Sequence, residues 1–103
     1  MTTAGPVRLL VRNPSGLHAR PAALFVRTAA GYASAIRVSN LTRGTGPADA
    51  KSILTLLTLG VSRDHEIELT AEGDDADAAI AGLRQLIESG VGEEVEGVPG
   101  GPG

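Results

Sequence analysis

Cysteine and tryptophan are absent from the chain, and Phe25 and Tyr32 are its only aromatic residues. Without cysteine there is no disulfide framework, no thiol nucleophile and no thiolate metal site. That composition suits a reducing compartment. Two aromatic rings cannot build the stacking platforms that hold single-stranded nucleic acid. Basic side chains are scarce as well: 9 Lys and Arg against 12 Asp and Glu give a net charge of −3. They form no block, so nucleic acid is not an expected partner. The 2 histidines, His18 and His65, are too far apart in sequence to suggest a metal cluster. No metal and no cofactor are expected. No segment reaches the ~18 consecutive apolar residues that span a bilayer, so membrane insertion is not expected. The start, "MTTAGPVRLLVRNPSG", lacks the charged opening and apolar run of a signal peptide. A cytoplasmic protein is the expectation.

What is present fits one domain. A chain of 103 residues can bury a single core without staples. That core must be Leu, Ile, Val and Ala. Val7–Arg12 largely alternates, with Val7, Leu9 and Val11 on one face, and predicts a strand. "NPSG" (Asn13–Gly16) is turn chemistry. The spacing of Ala22, Ala23, Val26, Ala29 and Ala30 predicts a helix over Ala19–Ala30. Pro21 is tolerated in its first turn and Gly31 closes it. Ala33–Val38 predicts a second strand, with Ser34, Ile36 and Val38 sharing a face. Asn40–Ala50 reads as a polar loop with room for a short strand. Asp49 is a candidate cap for a helix over 50–59, with Ile53, Leu56, Leu57 and Gly60 at helical spacing. Arg63–Ala71 alternates, with Ile67, Leu69 and Ala71 inward. Gly73 and Asp74 open a last helix whose apolar stripe is Ala76, Ala79, Ile80, Leu83 and Ile87. The order β-α-β-(β)-α-β-α predicts one sheet with helices covering one face. Residues 1–92 read as the domain, and 93–103, rich in Gly, as a flexible C-terminal tail or linker.

The segment "GLHARPAALFV" carries the chemistry. A helix that begins at Ala19 makes His18 its N-cap. First-turn N–H groups have no partner within the helix and carry the positive end of its dipole. An anion on His18 would meet those donors. Arg20 adds a permanent cation that can fork onto phosphate oxygens. Gly16 is expected to let the backbone pass close to the ring. Imidazole titrates near pH 6.5, so much of it is a neutral nucleophile at neutral pH. A phosphoryl group on its nitrogen keeps a high transfer potential. Positioning and electrostatics then carry the transfer.

"GLHARPAALFV" resembles the active-site segment of HPr, the histidine-containing phosphocarrier of the bacterial PEP:sugar phosphotransferase system. "ADAKSILTLLTLGV" (Ala48–Val61) is similar to that family's second helix. "EIELTAEGDDADAAIAGLRQLIESGVGE" (Glu66–Glu93) is similar to its last strand and helix. The resemblance implies an α+β open-faced sandwich, β-α-β-β-α-β-α, with a four-stranded antiparallel sheet and three helices on one face. It implies that His18 is phosphorylated at Nδ1 and that Arg20 is the active-site arginine. Ser52 matches the serine that a regulatory kinase phosphorylates in some members. Ile53, Leu54 and Leu57 match the apolar patch that docks partners. Ala23 and Arg27, four apart on the first helix, extend that face. The implied donor is Enzyme I, charged by phosphoenolpyruvate, and the implied acceptor is a IIA-type component. The stretch "SNLTRGTGPADAKS" looks longer than the usual connection. In that it is more similar to the HPr-like domain of the dihydroxyacetone kinase phosphotransferase subunit, which makes that kinase's components a second candidate acceptor.

A carrier that passes through a phosphohistidine is not an autonomous enzyme. The chain offers no further acid–base pair and no GxxxxGK[ST] loop. The competing reading is a regulatory interaction module that acts through Ser52 or docking alone. The remaining polar residues are read as structural. Lys51 and Arg43 are expected to be solvated. His65 is expected to be an exposed, acid-flanked histidine. The acids of "DDADAA" are expected to cap the last helix. One face that serves donor and acceptor in turn implies a monomer in weak, short-lived complexes.

Overall fold

A computed structural model of the chain describes residues 2–93. Its elements are β1 (Thr3–Leu10), α1 (Ala19–Ala30), β2 (Ala35–Asn40), β3 (Thr45–Asp49), α2 (Ile53–Thr58), β4 (Glu66–Glu72) and α3 (Ala76–Glu88). The strands form one antiparallel sheet in the order β1-β4-β2-β3. The expected open-faced sandwich is the fold observed. No helix among the described residues is long and apolar enough to cross a membrane.

The central strand β4 sets the layering. Ile67, Leu69 and Ala71 point into the core, while Glu66, Glu68 and Glu72 stay on the other side or at its margins. Period-two alternation of this kind buries one face and leaves the other to solvent. On the open face Arg8 and Glu68 form an ion pair at 3.5 Å. β1 starts earlier than the Val7 expected from alternation. Its first residues pair with β4 from Thr3 opposite Glu72, across a register shift between Ala4 and Val7. Gly5 sits there at φ +89, and a Cβ on it would stand 2.5 Å from the Leu69 carbonyl oxygen. The irregularity hides the first half of β1 from a period-two reading.

The phase of α1 differs from the expected stripe. Pro21, Ala22, Phe25 and Ala29 are buried, whereas Ala23 and Ala30 face outward and Val26 is half-buried. Alanines are too small to fix a helix's rotation. The single Phe carries far more apolar area and turns the helix so that its ring is fully enclosed.

The polar stretch expected as a loop is mostly a hairpin. β2 runs to Asn40 and β3 starts at Thr45, paired with Asn40. Alternation is lost there because Gly46 and Pro47 occupy β3. α2 is shorter than expected and is capped by Ser52, whose hydroxyl accepts the Thr55 N–H at 3.3 Å. Asp49 instead accepts the Lys51 N–H at 2.9 Å, which closes the turn before the helix. Of the expected α2 stripe only Leu56 is buried. In α3 every expected stripe residue is buried.

The phase of α1 is directly testable by urea unfolding. Phe25→Ala is expected to lower the unfolding free energy by about 3–5 kcal/mol. Ala23→Ser is expected to change it by less than about 0.5 kcal/mol. Comparable losses from the two would refute the observed rotation.

Candidate functional site

The loop between β1 and α1 is built by short-range turns and then fastened at two points. The Gly16 N–H donates to the Asn13 carbonyl at 3.1 Å, and the His18 N–H donates to the Ser15 carbonyl at 3.3 Å. Asn13 Nδ2 donates to the Gly16 carbonyl at 2.9 Å. The first fastening lies against the segment after α2. The Leu17 N–H donates to the Val61 carbonyl at 3.0 Å, and the Leu17 side chain is fully buried. Gly16, at φ +58, lies so close that a Cβ would collide with the Val61 carbonyl oxygen and the Ser62 backbone. Glycine is therefore needed here for approach to residues 61 and 62, not to the imidazole ring as the sequence suggested.

The second fastening is Glu93. Its Oε1 accepts Asn13 Nδ2 and the Ser15 N–H, both at 2.9 Å, and its Oε2 accepts the Ser15 hydroxyl at 2.8 Å. The Asn13 amide, the Ser15 N–H and hydroxyl, and the nearby Arg20 charge hold its carboxyl below the usual glutamate range. Composition places Glu93 in the tail, yet it is joined to the domain. Residues 94–103 lie outside the described residues.

His18 emerges from this loop as the N-cap of α1, in extended backbone at φ −121 and ψ 164. Its carbonyl accepts the Ala22 N–H at 3.3 Å, the first bond of the helix. The imidazole makes no capping bond and is half-exposed. Residues 19 and 20 thus begin a helix whose first N–H groups have no intrahelical acceptor. Ala19 adopts φ +50, a left-handed conformation at the first helical position. An L-residue pays about 1–2 kcal/mol for that. Arg20 is exposed and lines a cleft of about 260 Å³ with Ala23, Leu24, Arg27, Val91, Gly92 and Glu93. α2 packs on α1 and leaves Ile53, Leu54 and Leu57 exposed, Leu54 by 75%.

Other candidates have structural employment. Ser52 is committed to the α2 cap. Lys51 is not free in solvent, because its Nζ donates to the Tyr32 carbonyl at 2.6 Å. Arg43 folds over Gly60, with a guanidinium nitrogen 2.6 Å from where a Cβ would stand. His65 is not simply exposed. Its Nδ1 accepts the Ser62 N–H at 3.1 Å and lies 3.1 Å from Asn40 Nδ2. Asp75 makes no capping bond to α3. It instead accepts the N–H groups of Ala33 and Ser34 and the Ser34 hydroxyl, which hold its carboxyl below the usual range. The contacts of Lys51, Arg43 and Asp75, and that of His65 with Asn40, join residues distant in sequence, which local spacing cannot reveal. The same holds for Glu93. Only Asn13, within a turn-like stretch, left a local signal.

Residues 7–89 match the family signature described as the PTS HPr component phosphorylation site. The chain belongs to the HPr family. This is the family of phosphocarriers of the phosphotransferase system. Among solved structures, HPr-C-His from Thermoanaerobacter tengcongensis superimposes with a TM-score of 0.81 at 45% identity, over 92% of this chain and 100% of that one. The phosphocarrier protein HPr from Bacillus anthracis gives 0.73 at 32% identity, over 84% and 95%. The multiphosphoryl transfer protein of Haemophilus influenzae is 43% identical over 86% of this chain. That of Vibrio cholerae is 45% identical over 81%. The chain spans only 18% and 21% of those two proteins' lengths. The HPr signature takes in the His18 loop and all three helices but ends before Glu93.

Two measurements check this geometry. Ala19→Gly removes the left-handed penalty of about 1–2 kcal/mol against a glycine entropy cost of about 0.5–1 kcal/mol. A stability gain of up to about 1.5 kcal/mol is expected in urea; a loss of about 1 kcal/mol would contradict the conformation. The Glu93 carboxyl has a lowered folded-state pKa, so its contribution is present above the ordinary carboxylate value of about 4.3 and is lost as pH falls through the lowered one. The NMR signals of Ser15 and of the Asn13 side-chain amide should titrate together with a midpoint below the ordinary glutamate range. A midpoint at or above it would contradict the clamp.

Proposed function

We propose that His18 is the residue that accepts a phosphoryl group and hands it on. The carrying observation is an imidazole at the N-terminus of α1 that does not cap its own helix and stands two residues from Arg20. N-cap side chains ordinarily bond the N2 or N3 amide. This ring is spared that task, so a nitrogen lone pair is available. In the transfer, the Nδ1 lone pair forms a bond to phosphorus while the donor's bond to phosphorus breaks. Handing on reverses the roles, and the electron pair returns to the imidazole. The helix amides and the Arg20 guanidinium would steady the phosphoryl oxygens in both directions.

The donor in this reading is Enzyme I, charged by phosphoenolpyruvate. The acceptor is of the IIA type, in a sugar transporter or in the dihydroxyacetone kinase relay. The length of residues 39–52 does not favour the kinase route, because half of that stretch lies in β2 and β3 and is a hairpin and not an extended loop. Both partners would dock on Ala23 and Arg27 of α1 and on the exposed Ile53, Leu54 and Leu57. Exposed apolar residues beside a cationic cleft suit a partner with an acidic rim and an apolar centre. One face serving two partners in turn suits a monomer, and a chain without cysteine suits the reducing cytoplasm. The competing regulatory reading rests on Ser52, half-exposed at the α2 N-cap. Phosphate there would place about −2 charge beside the apolar patch and oppose an acidic partner.

Incubation with phosphoenolpyruvate and Enzyme I tests the reading. The expected product carries one phosphoryl group, labile in acid, and His18→Ala carries none. Arg20→Ala is expected to lower kcat/KM by about 10²-fold. Undiminished uptake by His18→Ala would overturn the assignment. Ser52→Asp is expected to raise KM for donor and acceptor; a regulatory effect that survives His18→Ala but changes with Ser52→Asp would favour the interaction-module reading instead.

A further inference from the structure

Glu93 lies past the last residue of the HPr signature, yet it touches the loop that delivers His18. It is not there by chance of a loose end. After α3 the chain turns tightly: the Val91 N–H donates to the Leu86 carbonyl at 3.0 Å and the Glu93 N–H to the Gly90 carbonyl at 2.8 Å. Val91 is buried and anchors this arm to the core. Gly90, Val91 and Gly92 all have positive φ, so the arm has one specific curl. The curl carries the Glu93 carboxylate to the start of α1.

The carboxylate then works on the loop at both of its ends. Ser15 gives it an N–H and a hydroxyl, while the Ser15 carbonyl accepts the N–H of His18. One residue thus separates Glu93 from the backbone of the histidine. Asn13 is fully buried, and its Nδ2 is shared between Glu93 and the Gly16 carbonyl. Asn13 Oδ1 is buried without a partner among the described residues. Rotating the amide would aim that oxygen at a carboxylate and a carbonyl, so Glu93 fixes the side chain's orientation. On its other side Glu93 shares the cleft with Arg20. The two opposite charges attract one another across that cleft.

We propose that Glu93 is a positioning residue for phosphoryl transfer at His18. It acts through Ser15 and Asn13, which set where the ring emerges, and through Arg20, whose charge it faces across the cleft. The inference rests on the carrier reading above. Displacement of a reacting group by about 1 Å can cost about 10²-fold in rate. Loss of the carboxylate should therefore be felt in the chemical step, not in docking.

The test is the steady-state kinetics of phosphorylation by Enzyme I, with the full chain as the varied substrate. Glu93→Ala is expected to lower kcat by about 10-fold to 10²-fold, with KM within about twofold, and Glu93→Asp to recover a large part of the loss. Ser15→Ala should slow transfer in the wild-type background and add little in Glu93→Ala, because the two act as one unit. Amide NMR of Glu93→Ala should show shifts confined to the loop and the start of α1, with the sheet unmoved. Unchanged kcat in a folded Glu93→Ala would overturn the proposal, and so would a loss confined to KM. If global unfolding accompanies Glu93→Ala, Glu93→Gln decides. It keeps acceptor capacity without charge, and full activity with no shift at Arg20 would overturn the role given to the charge. A wild-type chain that takes no phosphoryl group would instead overturn the carrier reading itself.

Discussion

The site depends on a loop held firmly enough that its histidine need not hold anything. A free N-cap side chain would ordinarily satisfy one of the unpaired amides beneath it. Here the restraints lie elsewhere. Leu17 is buried and bonded to Val61, Gly16 is pressed against the same segment, and Asn13 and Ser15 are tied to Glu93. With its backbone fixed from both sides, His18 stands at a positive helix start with a ring that does not cap it. The left-handed Ala19 shows that the restraint is strong enough to sustain local strain.

The fold explains where those restraints come from. The sheet brings the end of β1 beside the start of β4, so the loop after β1 lies near the segment that joins α2 to β4. The Asp64 N–H donates to the Val11 carbonyl at 2.6 Å and the Val11 N–H to the His65 carbonyl at 2.9 Å, which closes that junction. His65 and Asn40 brace its far side. α3 packs across β1 and β4 and returns the chain to the loop through residues 90–93. Each wall of the site is therefore an end of a core element, while the half-exposed ring, Arg20, the outer residues of α1 and the exposed α2 residues face outward.

Much of this was legible in the residues. Pro21 and Gly31 mark the ends of α1 chemically, and unbroken periodicity reveals the inward residues of β4 and the stripe of α3, although β4 starts at Glu66 and α3 at Ala76, each later than the pattern suggests. His18 and Arg20 stood out because loop, cap and cation are adjacent in sequence. The rest was hidden for physical reasons. β3 holds Gly and Pro where alternation is expected. The rotation of α1 is set by one Phe among many alanines. Asp49 and Ser52 are both good caps, and only the hairpin's geometry chooses between them. Glu93 gave no signal at all, since its partners Asn13 and Ser15 lie at the other end of the chain.

The central claim is that the first amides of α1 receive the phosphoryl group carried by His18. Two-dimensional amide NMR of the chain before and after charging by phosphoenolpyruvate and Enzyme I measures this directly. The account predicts that the amide protons of Ala19 and Arg20 move downfield, as donors to an anion do, while those of β4 stay in place. A phosphoryl group on His18 that leaves both of those amides unmoved would contradict it.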